Sequence, residues 1–373
     1  MSQDGRPTDA VVFRGDGEPV SPRRQIEALA AFEVERGVER DDYSRGGTVA
    51  ELERTMASLL DTEAAVFLPT GTLANHLALR RLCAGRPRVL VQAEGHVYND
   101  TGDGATRLSG LNLVPLAPGR PAFTLEEVAA AIERSATGRV TNPVGALAIE
   151  SPVRRQHGRV MPHDEMRAVV EYCRARGVGT HLDGARLFMM SAATGVPARA
   201  YATLFDTVYV SLWKYLGAPF GAILAGPSAL CADLYHERRM FGGSLPGAWM
   251  AAALVLRGVE GFEERFAAAL ARGRALCAAL GALPGVDATP FPDGSNIFPL
   301  RLAPSLDRAR FAAALLERDI VVSADAAPTD FVALTVNTTI LRRPLDELVA
   351  AFAAALRAAD AAAEPRTAAA AGG

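Results

Sequence analysis

Lys214 is the only lysine in this chain, and all the others of its 39 Lys and Arg residues are arginines. Arginine keeps its proton, whereas a lysine whose pKa is lowered by its surroundings condenses with a carbonyl to form a Schiff base. A sequence that has replaced lysine everywhere else favours a chemical role for this one. Survival of one lysine by chance is the alternative, and the context of Lys214 decides between them.

Lys214 lies in Asp206–Gly226, DTVYVSLWKYLGAPFGAILAG, a segment that predicts two buried strands on either side of a glycine-containing turn. The lysine comes just past the carboxyl end of the first strand. Ligands of open α/β sheets bind in the crevice outside those ends. The position therefore indicates a binding site rather than a solvated surface.

Asp183 ends a second predicted strand in Val178–Leu187, VGTHLDGARL. Pyridoxal 5'-phosphate (PLP) needs a Schiff-base lysine and a carboxylate that keeps its pyridine nitrogen protonated. Asp183 and Lys214 are suited to these two tasks. A helix cap or a turn before Gly184 explains Asp183 equally well.

A phosphate site is indicated where a predicted strand at Ala64–Leu68 runs through PTGT into a helix. The free N–H groups at that helix start, with the Thr70 and Thr72 hydroxyls, are suited to a phosphate dianion. A plain helix cap is the alternative.

His96 ends the strand-to-turn segment Val89–His96, VLVQAEGH. An imidazole there is suited to lie over a cofactor ring and to exchange a proton near neutral pH. A single histidine after a strand also has a purely structural explanation.

In this order along the chain, PTGTLANHLAL, HLDGARLFMM, VSLWKYLGAPFGAILAG and RRMFGGSL closely resemble the threonine aldolase and aromatic amino acid β-eliminating lyase family of PLP enzymes. The resemblance runs from about Asp41 to Gly243. It implies an α/β chain of the PLP-dependent fold type I, with a mostly parallel seven-stranded sheet in a large domain and a small α/β domain. It also implies a homo-oligomer, a dimer or homotetramer, with active sites at the subunit interface.

Carried over position by position, the resemblance implies that Lys214 is the Schiff-base lysine, Asp183 pairs with the pyridine nitrogen and His96 stacks on the ring. Gly71 and Thr72 hold the phosphate. For Arg186 it implies a place beside the cofactor and the substrate carboxylate; a structural ion pair is the alternative.

The implied reaction is a retro-aldol cleavage, in which a β-hydroxy-α-amino acid such as threonine gives glycine and an aldehyde. Lys214 and Asp183 serve other PLP reactions equally well, so β-elimination, racemisation and transamination stay open. A PLP-fold protein that only binds a ligand or regulates a partner is a further alternative from another class.

Departures from the family pattern fall on substrate-contacting positions. Gly15 stands where the family usually has serine, and Glu150–Gly158, ESPVRRQHG, replaces a familiar Glu-Asn-Thr-His segment. His157 is the candidate to replace the second family histidine. The C-terminal carboxylate-binding arginine is missing from FVALT, so Arg342 or Arg343 is the candidate for that role; the start of a solvated helix is the alternative. Arg154 and Arg155 suggest another anionic contact, and hence a substrate that is larger or differently charged than threonine.

The predicted organisation has an N-terminal segment over 1–44, a PLP-binding large domain over 45–245, a C-terminal small domain over 246–360 and a disordered tail over 361–373.

The composition is that of an ordinary enzyme. A net charge of -3 offers no basic field for nucleic acid. The four cysteines are far apart and form no CxxC pair, so neither a disulfide framework nor a metal site is predicted, and reduced thiols in a cytoplasmic protein are expected. We expect no signal peptide and no membrane segment.

Overall fold

The computed structural model describes residues 10–83, 85–137, 139–323 and 329–360. The predicted disorder of residues 361–373 concerns residues outside these ranges. The described elements are, in chain order, β1 (Val11–Val12), α1 (Pro22–Arg36), α2 (Gly47–Leu60), β2 (Ala64–Leu68), α3 (Gly71–Cys83), β3 (Arg88–Gln92), α4 (His96–Asn99), α5 (Gly104–Ser109), β4 (Asn112–Leu116), α6 (Leu125–Ala136), β5 (Val144–Glu150), α7 (His163–Arg174), β6 (Gly179–Asp183), α8 (Leu187–Thr194), α9 (Ala198–Ala202), β7 (Thr207–Ser211), β8 (Ala222–Gly226), α10 (Ser228–Cys231), α11 (Leu234–Met240), α12 (Trp249–Val259), α13 (Phe262–Gly281), β9 (Val286–Asp287), β10 (Ile297–Leu302), α14 (Arg308–Leu316), β11 (Ile320–Val321), β12 (Val332–Thr335) and α15 (Leu345–Ala359). Short 3-10 helices cover Arg154–Gln156 and Thr338–Arg342.

The central sheet has seven strands in the order β2-β8-β7-β6-β5-β3-β4. β8 runs antiparallel to both of its neighbours, and the other adjacent pairs are parallel. β2 therefore runs in the same direction as β7, and the carboxyl ends of β2, β3, β5, β6 and β7 share one edge. The predicted mostly parallel seven-stranded sheet is confirmed.

The middle strands are buried on both faces, as the long apolar runs in their sequences require. Every residue of β5, β7 and β8 is buried. Helix α3 packs against this sheet through Ala74, Leu77 and Ala78, which share a core cluster with Leu68 and Leu224. This packing fixes the start of α3 beside the sheet edge where the carboxyl ends of the strands meet.

The chain forms two compact units. The larger comprises residues 20–264 and 293–295 and contains the seven-stranded sheet. The smaller comprises 1–19, 265–292 and 296–373, and its described part contains the antiparallel sheet β12-β10-β9, the parallel pair β1-β11 and helices α14 and α15. The rings of Phe13 and Phe311 each pack edge-to-face against Phe352.

These boundaries lie elsewhere than the predicted ones at residues 44 and 246, because the segments around α1 and α12 belong to the larger unit. Phe32 of α1 is buried, and the helix is tied to the end of α12 by the ion pairs Glu35–Arg257 and Arg36–Glu260. Helix α12 also packs along α2. Local sequence patterns give no sign of these contacts, because they join residues far apart in the chain.

Candidate active site

A cavity of about 450 Å³ opens at the sheet edge formed by the carboxyl ends of the parallel strands. Its wall contains Lys214, Asp183, His96, Gly71, Thr72 and Arg186, which the sequence analysis selected from four separate segments. The fold thus brings these predicted site residues together. The remaining lining residues are Pro69, Thr70, Glu150, Arg154, Ala185, Tyr209, Trp213, Pro219 and Phe220.

Asp183 is the last residue of β6 and is only 3% exposed. Its Oδ2 accepts a 2.6 Å hydrogen bond from the side-chain amide of Asn75, and its Oδ1 accepts one of 3.2 Å from the backbone N–H of Ala185. A polar side chain this deeply buried needs such donors to offset its lost contacts with water. Both oxygens are therefore held in fixed positions.

Behind Asp183, the hydrogen bonds continue into the sheet. The Asn75 side-chain oxygen lies 2.8 Å from Nε2 of His181, whose Nδ1 lies 2.8 Å from the Thr207 hydroxyl. Complete burial lowers the pKa of His181 to about 4, so its ring is neutral at physiological pH. Nε2–H of His181 then donates to Asn75, and the Thr207 hydroxyl donates to Nδ1.

Lys214 follows β7 in the turn that leads to β8. The turn is closed by a hydrogen bond of 3.1 Å from the Leu212 N–H to the Gly221 carbonyl. Tyr215 and Leu216 are buried, at 7% and 1% exposure, and fix the backbone directly after the lysine. Lys214 therefore reaches the cavity from an anchored turn, as its place after a strand predicted.

The start of α3 forms another wall. The Thr70 hydroxyl accepts a hydrogen bond of 3.1 Å from the Leu73 N–H and so caps the helix. The cap explanation is thus correct for Thr70. The first N–H groups of a helix have no acceptor within it, which leaves those at Gly71 and Thr72 for an anion at the cavity.

Gly71 is also required by packing. A Cβ atom built on it would lie 1.9 Å from the hydroxyl oxygen of Tyr209, a buried residue of β7. Only glycine lets the helix start approach the strand this closely.

His96 is the first residue of α4, and its backbone N–H donates to Oε2 of Glu150 over 2.5 Å. Burial lowers the pKa of His96, an effect that the nearby Asp183 charge opposes. Its Nδ1 is buried and has no hydrogen-bond partner within the described residues. A buried, unpaired nitrogen at a cavity wall indicates that the cavity normally holds a group that His96 contacts.

Glu150 is a site residue that the sequence analysis did not assign. It ends β5 next to Asp183 in the strand register, and its two oxygens accept the backbone N–H groups of His96 and Arg154. Burial and the neighbouring Asp183 charge raise its pKa to about 7. The sequence signal that could have identified Glu150 as a site residue is its position at the end of an otherwise apolar strand.

Two arginines complete the wall. Arg186 is 8% exposed and precedes α8, whereas the Arg154 side chain is 49% exposed and pairs with Asp100. Arg154, which the sequence analysis proposed as a contact for an anion, therefore lies at the cavity. Arg155 also pairs with Asp100 but does not line the cavity.

The remaining predicted residues lie elsewhere. Arg342 belongs to the smaller unit, where its guanidinium donates to the Ala10 carbonyl and to Glu18. Arg343 donates to the Arg318 carbonyl in the same unit. His157 is not among the cavity-lining residues. The role of Arg342 in substrate binding stays a prediction.

The donor set fits PLP. Four groups surround one cavity, and each matches a part of the cofactor. The amine matches the aldehyde, and the buried carboxylate matches the ring nitrogen. The start of the helix matches the phosphate, and the unpaired imidazole nitrogen matches the ring face. No group of His, Cys, Asp and Glu side chains suited to a metal ion occurs within the described residues. Nor is any helix in the described ranges long and apolar enough to cross a membrane.

Three comparisons bear on this site. The low-specificity L-threonine aldolase of Candida albicans is 29% identical over 221 residues, which are 58% of each chain. The alanine racemase TOXG of Cochliobolus carbonum is 31% identical over 237 residues, 62% of this chain and 58% of that protein. The chain therefore spans well under two thirds of the length of these two relatives.

A solved structure from Exiguobacterium sp. 255-15, described as a candidate aromatic amino acid beta-eliminating lyase/threonine aldolase, has a TM-score of 0.77 and 27% identity over 92% of this chain and 97% of that one. This likeness confirms the predicted fold type I architecture. The model of the beta-eliminating lyase family matches residues 23–298, which include every residue of the cavity wall. The chain belongs to the beta-eliminating lyase family.

Proposed function

We propose that the chain is a PLP-dependent lyase that cleaves the Cα–Cβ bond of a β-hydroxy-α-amino acid and releases glycine and an aldehyde. The observation that carries this proposal is the convergence of Lys214, Asp183 and His96 on one cavity. The family membership and the L-threonine aldolase among its relatives support it.

Bound PLP supplies the electron sink that stabilises the negative charge left at Cα. Nζ of Lys214 would hold the cofactor covalently. Asp183 would accept a hydrogen bond from the ring nitrogen, and the bond from Asn75 holds its carboxylate in place for that contact. Gly71 and Thr72 would donate backbone N–H groups to the phosphate.

His96 would lie over the cofactor ring and would accept the β-hydroxyl proton, directly or through a positioned water. Its lowered pKa keeps the imidazole neutral and able to accept a proton at neutral pH. Arg186 binds the substrate α-carboxylate, and Arg342 is a proposed second contact for it.

Alanine racemisation is a second candidate, since one of the relatives is named an alanine racemase. Lys214 and Asp183 serve that reaction equally well, because both reactions place negative charge at Cα. The products separate them: an aldehyde and glycine on one side, an inverted amino acid on the other.

We also propose a cytoplasmic homo-oligomer, a dimer or homotetramer. The four cysteines are unpaired and buried, which suits a reducing compartment. Trp213, at the cavity wall, is 53% exposed, as expected of a side chain that a second subunit covers.

The first test is the visible absorption spectrum of the protein mixed with PLP, recorded before and after glycine. We expect a cofactor band that Lys214→Ala abolishes and that shifts to longer wavelength with glycine, together with aldehyde release from threonine or phenylserine. A band without turnover of any amino acid would favour a binding protein. No band at all would contradict the proposal.

A further inference from the structure

Arg154 is a cation of the cavity wall that the proposed reaction does not use. It forms an ion-pair cluster with Asp100 and Arg155, here called the mouth cluster. Its side chain is 49% exposed, so it is reached both from the cavity and from solvent.

Hydrogen bonds hold both the backbone and the side chain of Arg154. Its backbone N–H donates to Oε1 of Glu150 over 2.9 Å, and Glu150 ends β5 beside Asp183. Its Nη2 donates to Oδ2 of Asp100 over 2.6 Å. The other carboxylate oxygen of Asp100 accepts a hydrogen bond of 2.7 Å from Arg155.

Asp100 stays ionised, because the hydrogen bonds from Arg155 and Arg154 lower its pKa to about 2. Two guanidinium groups thus share one carboxylate, and the mouth cluster carries one net positive charge. A guanidinium has five N–H donors, and the Arg154 side chain directs one of them at Asp100. The other four have no hydrogen-bond partner in the described part of the chain.

The remaining cations of the cavity already have partners in the proposed reaction. Lys214 would be bonded to the cofactor, Arg186 would bind the α-carboxylate, and the start of α3 would hold the phosphate. The part of a substrate left to meet Arg154 is its side chain. An anionic side chain would neutralise the charge of the cluster and pair with the planar guanidinium.

We propose that the substrate is a β-hydroxy-α-amino dicarboxylic acid and that Arg154 binds its side-chain carboxylate. This inference rests on the proposed lyase function. With the shortest member, 3-hydroxyaspartate, the Cα–Cβ bond breaks, the β-hydroxyl proton passes to the base, and Cα gains a proton. The products are glycine and glyoxylate, and no oxidant or reductant is required.

The test compares kcat/KM for 3-hydroxyaspartate with kcat/KM for two neutral substrates, threonine and phenylserine. Arg154→Gln is expected to lower the ratio of dicarboxylate to neutral substrate by roughly tenfold to a hundredfold, the value of a charged hydrogen-bonded contact. Arg154→Lys keeps the charge and should retain part of the preference.

Arg155→Gln is the matched control. It removes the same charge from the same partner, Asp100, but from a side chain that does not line the cavity. It should lower the substrate ratio by no more than about fivefold, the value of an exposed charge interaction, because the cluster loses its net charge but keeps the guanidinium that lines the cavity.

The outcomes separate this inference from the proposed function. Cleavage of threonine or phenylserine without cleavage of 3-hydroxyaspartate would overturn the inference and leave the lyase function standing. Equal ratios in wild type and Arg154→Gln would also overturn it, as would a loss of PLP affinity in Arg154→Gln, which would assign Arg154 to the phosphate. Failure to cleave any β-hydroxy amino acid would overturn both.

Discussion

The two ends of the cavity are built in different ways. At the cofactor end, Asp183, Asn75, His181 and Thr207 are each 3% exposed or less, and every hydrogen bond along this row has a buried partner. At the mouth, the side chains of Asp100, Arg155 and Arg154 are 23%, 41% and 49% exposed.

The difference is one of energetic cost. A buried polar group that loses its partner keeps the full desolvation penalty, about 1–3 kcal/mol. An exposed ion pair contributes about 0–1 kcal/mol. The cofactor end therefore resists substitution, whereas the mouth can change its charge with little loss of stability. On the proposed function, cofactor binding would depend on the buried end of the wall and substrate choice on the exposed end.

Asp183→Asn removes the charge at the cofactor end and should produce the largest effect. We expect kcat to fall by about a hundredfold to a thousandfold, the usual result of removing a stabilising partner from a reacting centre. Steady-state kinetics measure the loss, and the visible cofactor band should remain because Lys214 is intact. Activity within about threefold of wild type would remove Asp183 from the mechanism.

Asn75→Leu breaks the buried row behind Asp183. It leaves Oδ2 of Asp183 and Nε2–H of His181 without partners, so the free energy of unfolding should fall by about 1–3 kcal/mol for each group. Denaturant unfolding measures this. The control is Asn142→Leu at an exposed site, where the change should stay within about 0.5 kcal/mol. Equal losses of unfolding free energy in Asn75→Leu and Asn142→Leu would contradict the proposed difference between buried and exposed polar residues.

Glu150 joins the two ends, and its titration should be visible in stability. Burial raises its pKa from 4.5 in the unfolded chain to about 7. Below pH 4.5 the Glu150 carboxyl is protonated in both the folded and the unfolded chain, so its burial does not lower the free energy of unfolding. Above a pH of about 7 it is ionised in both states, and the folded chain carries the full desolvation penalty of the buried charge. This group therefore lowers stability as the pH rises from about 4.5 to 7, and Glu150→Gln should flatten that part of the curve.

Glu53 provides the control for that experiment. Its pKa is also raised to about 7 by burial, and its Oε1 accepts the Phe67 N–H, yet it does not line the cavity. Glu53→Gln should flatten the stability curve in the same range. Only Glu150→Gln should also remove a break near the pKa of about 7 from the pH profile of kcat/KM. If both substitutions changed the pH profile of kcat/KM equally, Glu150 would have no specific role in the active site.

Asp100→Ala at the mouth should give the smallest effect on stability. The two exposed ion pairs that it removes contribute about 1 kcal/mol or less each to the free energy of unfolding. Thermal or denaturant unfolding measures the change. A loss comparable with that of Asn75→Leu would show that the mouth is as tightly built as the cofactor end.

Much of the cofactor end was predictable from local patterns. The strand predicted at Ala64–Leu68 has those bounds in the structure, Asp183 ends β6, and Lys214 follows β7. Each of these predictions depends on a short apolar run that stops at a polar residue. Because parallel strands place their carboxyl ends at one edge, the order of the segments was enough to bring their residues together.

The supporting contacts were not predictable, because they join distant parts of the chain. Asn75 and Asp183 are 108 residues apart, and the polar pair Asn75-His76 within the helix PTGTLANHLAL was the one visible sign. The domain boundaries differ for the same reason, since the Arg36–Glu260 pair joins residues 224 apart. Propensity and periodicity carry no information on such pairings.

Replacement of every other lysine by arginine gives the chain an unusual chemical selectivity. The α-amino group and Nζ of Lys214 are its two aliphatic amines, and the second lies at the wall of the cavity. An amine-directed reagent is therefore an active-site label for this protein: after acylation or reductive alkylation, peptide mapping would distinguish modification of Lys214 from modification of the terminus. Cofactor occupancy could then be followed by mass spectrometry as protection of a single residue.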